Sequence, residues 1–389
     1  MIFKEALTFD DVLIVPKFSF IDSRREVNLS GFTSNKAFRS FGASLPVISS
    51  NMDTVTGPRM AAAMLNYGAQ ACLHRFCTIE ENVKMLEASM VPMGKDEDEF
   101  LRPMVSIGLG NEELERAKAL YGHGAWNFVI DVAHGAQESV AKQAKALRAI
   151  VGQYGGIMIG NFASVDSVKH FLEYTGSDVV DAIKIGVGPG SACTTRIKTG
   201  VGYPQLSAIW EISQALKNTE IGIIADGGMK SPGDVAKALG AGAHMAMLGG
   251  MLAGTEESPG NLVAIDANFE DATHGECVLE KDGDYVPKEK CADKAVIRWV
   301  KLNKKYRGSA SQESYESQGK TGNHRTAEGE SFLVPYKGYV EDVLHDIEGG
   351  LRSSFTYVGA RNLKDFHSKV EFVRISNATQ LENKSHGLK

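Results

Sequence analysis

The run KIGVGPGSACTTRIKTGVGYPQ (184–205) sets a single thiol, Cys193, between a glycine-rich turn and a basic stretch. A free cysteine usually ends as a small buried hydrophobe, and that reading suits Cys72, which lies in the apolar run AQACLHRF. Cys193 differs because its neighbours are too small to bury it, and Arg196 and Lys198 lie close enough to favour a thiolate. A reachable thiol in a flexible cradle suits covalent catalysis. On residue chemistry alone, nucleophile and buried hydrophobe stand level.

Three glycine turns, GPGS, ADGGMKSPG and LGGM, each offer bare backbone N–H groups of the kind that form anion nests. Asp226, inside the second turn, would repel phosphate and suits the hydroxyls of a ribose instead. Asp131, in VIDVAHG, is either a structural carboxylate or a functional one. His134 reads as an ordinary loop histidine. Glu328, in HRTAEGE, and the run WVKLNKKYR read most simply as solvated charge.

These residues need a scaffold, and the pattern supplies one. Apolar runs at 45–52, 69–76, 103–110, 126–133, 157–163, 182–188, 221–228 and 245–251 alternate with amphipathic segments. Continuous apolar runs are what strands buried on both faces require. Thr78, Asn111 and Ser231 are expected N-caps, with Pro232 in a first turn. The repeat predicts an α/β fold, a (β/α)8 TIM barrel spanning 1–389 as one catalytic domain. An open doubly wound sheet is the rival, but SSNMDTVTGP is not the glycine turn it needs after its first strand. Asn51, Asp53, Asp131, Asn161, the 186–196 loop, Asp226 and Gly249–Gly250 all fall at strand C-terminal ends, where barrels keep their sites. After the eighth strand, 252–335 is polar and reads as one long, partly mobile insertion or flap before the last helix.

Composition narrows the function classes. With 43% hydrophobic and 23% charged residues the chain of 389 can bury a large core, and a net charge of −6 argues against nucleic-acid binding. No apolar run reaches the roughly 18 residues of a membrane span, and the N-terminal segment does not read as a signal peptide. Five cysteines without a CxxC pair suggest neither a zinc site nor a disulfide framework, so a cytoplasmic location is expected.

GVGPGSACTTRIKTGVGYPQLSAI resembles the active-site loop of the inosine monophosphate dehydrogenase/guanosine monophosphate reductase family. LTFDDVLIVPKFS, SSNMDTVTGPRMAAAM, DVAHG, GNFAS, ADGGMKSPGDVAKALGAGAHMAMLGGM, VPYKG and GGLRSSFTYVGA extend the likeness over nearly the whole chain. Lys198 and Tyr203, in KTGVGYPQ, are similar to the reductase branch, as is EGESFLVPYKG. Only the short segment 77–102 separates the second and third strands, leaving no room for a CBS-type regulatory domain there. The flap segment NHRTAEG lacks the Arg-Tyr pair with which dehydrogenases activate water.

The resemblance implies reductive deamination of GMP to IMP and ammonia with NADPH. Cys193 would attack purine C2, with Thr195 and Glu328 handling the proton that turns the amine into a leaving group, and a hydride would then arrive at C2. It implies substrate contacts at Ser191, Asp226, Gly227, Gly228, Gly249, Gly250, Gly308 and Ser309. Cofactor contacts would come from Arg75, Asp131, Val132, Ala133, His324 and Arg325. Ser23, Arg24, Ser353, Ser354 and Thr356 would add to them, some across the interface of a homotetramer. The carbonyls of Gly188, Gly190 and Cys193 would hold potassium. Three departures stand out: Ser309 where relatives carry methionine, His324 where reductases carry tyrosine, and Arg75 for a lysine. The alternatives are an IMP dehydrogenase lacking regulatory domains, using NAD, and a weakly catalytic sensor of purine nucleotides.

Overall fold

The apolar runs become strands where expected. In the computed structural model, residues 4–30, 43–93, 99–266, 276–281, 284–287, 298–317, 326–376 and 379 are described. Strands Val47–Ser49 (β1), Gln70–Leu73 (β2), Met104–Ile107 (β3) and Asn127–Asp131 (β4) are followed by Gly156–Phe162 (β5), Ala182–Ile185 (β6), Gly222–Asp226 (β7) and Met245–Leu248 (β8). All eight pair in parallel and close into a barrel, β8 returning to β1. The open sheet is thereby excluded. Helices Pro58–Tyr67 (α1), Ile79–Ser89 (α2), Asn111–Gly122 (α3), Glu138–Val151 (α4), Val165–Thr175 (α5), Gln205–Leu216 (α6), Pro232–Gly240 (α7) and Val340–Val358 (α8) take the connecting positions. This is a (β/α)8 barrel.

Local chemistry starts the helices. Thr78 and Glu81 form a reciprocal capping box at α2, and Ser231 caps α7 with Pro232 in its first turn. Asn111, an expected cap, is instead the first helical residue of α3. Gly110, at φ +106°, holds the cap position, and its N–H and carbonyl are both met by the Gln143 amide of α4. A tertiary partner has replaced the local one.

The barrel fills in layers. Ile48, Cys72, Met104, Val129, Met158, Ala182, Ile224, Met245 and Met247 form a buried inner cluster. Two residues further along their strands, Asp131, Lys184 and Asp226 follow Val129, Ala182 and Ile224 on the same face, so the apolar plug is topped by a charged layer. A second, larger core lies between the strands and the helices.

The stretch 252–335 is no plain loop. Among its described residues, Val263–Asp266 (β9), Glu276–Lys281 (β10), Asp284–Pro287 (β11), Arg298–Arg307 (β12) and Ser331–Pro335 (β13) form an antiparallel sheet, ordered β9-β12-β10-β11 with β13 also on β12. WVKLNKKYR is therefore a strand and not a solvated face. Leu302, Asn303, Lys304 and Tyr306 are buried along it, and Lys304 Nζ donates to the carbonyls of Glu256 and Ser258 at 3.1 and 2.7 Å. No helix among the described residues is long and apolar enough to cross a membrane.

Behind the barrel, α8 packs on α7 and α1, and a last helix, Leu363–Lys369, covers its end. Phe355 and Phe366 stack there with ring centroids 4.0 Å apart, both fully buried. Phe355→Ala is expected to cost about 3–5 kcal/mol of stability, read as a lowered urea midpoint; an unchanged midpoint would mean that this contact does not hold the last helix.

Candidate active site

The charged layer is a closed network. Lys184 Nζ lies 2.7 Å from Asp131 Oδ1, 2.6 Å from Asp226 Oδ2 and 2.5 Å from Asn161 Oδ1. Asn51 Nδ2 donates to Asp131 Oδ2 at 3.0 Å, and Asn161 Nδ2 donates to Asp226 Oδ2 at 2.9 Å. Gly160 stands in register between Asp131 and Lys184, and a Cβ there would come 2.6 Å from that of Lys184. Its bare backbone lets the two side chains meet across an intervening strand. Burial by itself would strip Lys184 of its charge, but the two carboxylates hold its pKa well above the ordinary lysine value. Burial likewise pushes Asp131 up, and Lys184 and Asn51 more than reverse this.

Beyond β6 the chain turns into the cysteine loop. A side chain at Gly186 would collide with the Asp226 carbonyl, 2.1 Å from its Cβ position, so glycine is required there. Cys193 Sγ lies 3.1 Å from Thr195 Oγ1, which donates to Glu328 Oε2 at 2.7 Å. Thr195 and Glu328 are 133 positions apart. They meet because segment 328–330 pairs with 192–194: Thr194 N–H donates to Glu328 O at 2.8 Å and Glu330 N–H to Ala192 O at 2.9 Å. Gly308 and Gly329 allow this stacking, since a Cβ at Gly308 would lie 2.8 Å from Ala192 O. Arg307, at the end of β12, forks onto Asp53 beyond β1 and anchors the root of the segment. Cys72 and Cys77 have no comparable setting. Burial pushes the Cys72 thiol well up and that of Cys77 up to about 11.

Two adjoining cavities open at this mouth. One, of about 390 Å³, is lined by Cys193, Thr195, Glu328, Asp131, Val132, Ala133, Arg75, Gly188, Gly190, Gly308 and Ser309. The other, of about 320 Å³, is lined by Ser191, Gly227, Gly228, Gly249, Gly250, Tyr306 and Lys337. Ser50, Met52, Gly190, Asp226 and Tyr306 border both. Ser50 Oγ and Arg75 Nε are buried without a hydrogen-bond partner, so the mouth holds polar atoms that a ligand could satisfy. A larger hollow of about 710 Å³ between α4 and α5 contains none of the expected catalytic or ligand-binding residues.

Some expected residues lie elsewhere. Ser23 and Arg24, with Ser353, Ser354 and Thr356, form a separate surface joined by Arg352, which donates to Arg24 O at 3.3 Å and Val27 O at 2.6 Å. His324 and Arg325 fall outside the described residues. Three contributors escape a sequence reading. Lys184 sits inside an apolar strand, where a lone charge should itself signal a buried partner. Tyr306 lies in a run that looks solvated; its hydroxyl lies 3.8 Å from Met52 Sδ and comes within 3.0 Å of a Cβ position at Gly249. Lys337 Nζ donates to Gly250 O and Met251 O at 2.6 and 3.0 Å.

A closed parallel barrel with a thiol, a hydroxyl and a carboxylate in line at its C-terminal rim defines a barrel of the enzyme type. The family model described as IMP dehydrogenase / GMP reductase domain matches residues 6–386, and the chain belongs to that family. It is 35% identical to the GMP reductase of Shewanella pealeana, over 98% of this chain and 97% of that protein. The GMP reductases of Photobacterium profundum and Vibrio cholerae are likewise 35% identical, with the same coverage.

Lys184→Met leaves two buried carboxylates without their cation and is expected to cost about 3–5 kcal/mol in urea denaturation. The depressed pKa of Asp131 means that its share of stability is complete above the unfolded value of 3.8 and is lost as pH falls through the lower folded value. That acid limb should shrink in the variant; an unchanged limb and midpoint would remove the network from the stability of the barrel.

Proposed function

We propose that this protein is a GMP reductase, converting GMP to IMP and ammonia at the expense of NADPH. The observation that carries the reading is the unbroken contact from Cys193 Sγ through Thr195 Oγ1 to Glu328 Oε2 at the shared cavity wall. Cys193, as thiolate, bonds to C2 of the purine; the C2–N bond breaks as the amine takes a proton from Thr195, replenished by Glu328. Splitting the substitution this way replaces one hard step by two easier ones. Ser191, Gly227, Gly228, Gly249, Gly250 and Lys337 suit the 5′-phosphate, with Tyr306 closing that pocket. Asp226 faces both cavities and suits the ribose between them.

The reduced nicotinamide, when bound, would supply the hydride for C2, after which the C2–S bond breaks, releasing IMP and returning Cys193 as thiolate. The residues present fit such a group: Arg75 lies along Gly108, where a Cβ would be 2.9 Å from its Cζ, and its buried Nε has no protein partner. Arg75, Asp131, Val132 and Ala133 would hold the cofactor, with Gly308 and Ser309 completing the substrate wall of the same cavity. Ser23, Arg24, Ser353, Ser354 and Thr356 belong in this reading to the cofactor site of a neighbouring subunit in a homotetramer. Their surface carries Phe18 and Phe20, 84% and 81% exposed, against α8 and its C-terminal turn. Neutral carbonyls of the type offered by Gly188, Gly190 and Cys193 suit an alkali cation, potassium by preference.

Purified protein given GMP and NADPH should lose nicotinamide absorbance and release ammonia. Turnover of IMP with NAD alone would establish a dehydrogenase, and GMP binding without turnover a sensor. Cys193→Ala should abolish turnover and leave GMP affinity within about threefold, while Glu328→Gln should lower kcat roughly 10²-fold. Normal turnover in the alanine variant would end the covalent reading.

A further inference from the structure

The side chain of Arg196 crosses the neck of the loop that carries Cys193. Its Nε donates to the carbonyl of Val187 at 3.2 Å, and its Nη2 to that of Tyr203 at 2.5 Å. Those carbonyls belong to the two stems of the loop, so one guanidinium ties the beginning of the segment to its end. Two glycines make the slot. A Cβ at Gly188 would lie 2.5 Å from Arg196 Cγ, and one at Gly202 would lie 2.7 Å from the same atom.

The two glycines have different reasons for being glycine. Gly188 has φ +79°, a conformation that alone favours it. Gly202 is not in the left-handed region, so the packing of Arg196 is what keeps a side chain out. Arg196 springs from the short helix Thr195–Thr199, next to the residue that Cys193 touches. A planar fork can bridge two separate carbonyls at once, which a lysine ammonium on a flexible stem does far less well.

We propose that Arg196 is a positioning residue for Cys193: it locks the loop neck and so sets where the sulfur stands. The inference rests on Cys193 being the nucleophile, yet it can be read on the thiol itself without turnover. Alkylation of Cys193 by iodoacetamide at one fixed pH, followed by peptide mass spectrometry, reports how often the loop opens to the reagent. Arg196→Lys keeps the cation but loses the fork, so the alkylation rate should rise about threefold. In the same variant kcat for GMP should fall about 10²-fold, with KM within about threefold.

Gly202→Ala tests the neck in a chain that keeps every charge. It should lower kcat about tenfold alone, and by less than about twofold in an Arg196→Ala background, where nothing is left to collide with. Equal losses in both backgrounds, or an Arg196→Lys protein with normal kcat and alkylation rate, would overturn the proposal. A protein that never turns over GMP but shows the expected rise in alkylation would retire the reductase reading and keep this one. A working reductase with unchanged alkylation and additive variants would do the reverse.

Discussion

One buried lysine holds the top of this barrel together. Lys184 lies 2% exposed between Asp131 and Asp226, and the two carboxylates replace the water that its buried ammonium has lost. The three side chains come from β4, β6 and β7, so the ion network ties strands that are not all neighbours in the sheet. Gly160, on the strand between β4 and β6, is the condition for that tie, since any larger residue would occupy the path between the charges. Asp131 and Asp226 then face the cavities with their orientation already decided, each also held by an asparagine amide. A mouth built this way reorganises little when a polar ligand arrives, which is the property electrostatic catalysis needs.

Above this layer the site is made from backbones in close approach. The cysteine loop, the segment after β12 and the returning 328–330 segment stack against one another through Gly308 and Gly329, where side chains would not fit. The antiparallel sheet gives that stack its footing: β12 runs straight into the Arg307–Asp53 clamp, and β13 leads away from Glu330. Glu328 thus reaches Thr195 from a segment held by backbone hydrogen bonds to the cysteine loop. The Arg196 cross-link plays the corresponding part on the other side, where the loop leaves and re-enters the barrel. Side chains carried on loops gain precision when the loop stems are fastened, and here both are.

Much of the fold was legible in the residues. The eight apolar runs declare themselves because strands buried on two faces have no polar side to hide, and Thr78, Ser231 and Pro232 mark helix starts by local chemistry. Asn111 failed as a cap because Gln143, from the next helix, took over that work. WVKLNKKYR concealed a strand because its inward lysine is satisfied by two carbonyls, a partnership that composition does not reveal.

The sequence by itself determined the period of the barrel, the turn in which Cys193 sits and the membership of a family whose motifs run the length of the chain. Those features are local, set by side-chain spacing along one strand or one turn. Only the tertiary structure decided which groups meet: Lys184 with two distant aspartates, Thr195 with a glutamate 133 positions away, and Arg196 with both stems of its own loop. The physical reason is that an ionic contact or hydrogen bond acts over a few ångströms of space, whatever the length of chain between its partners.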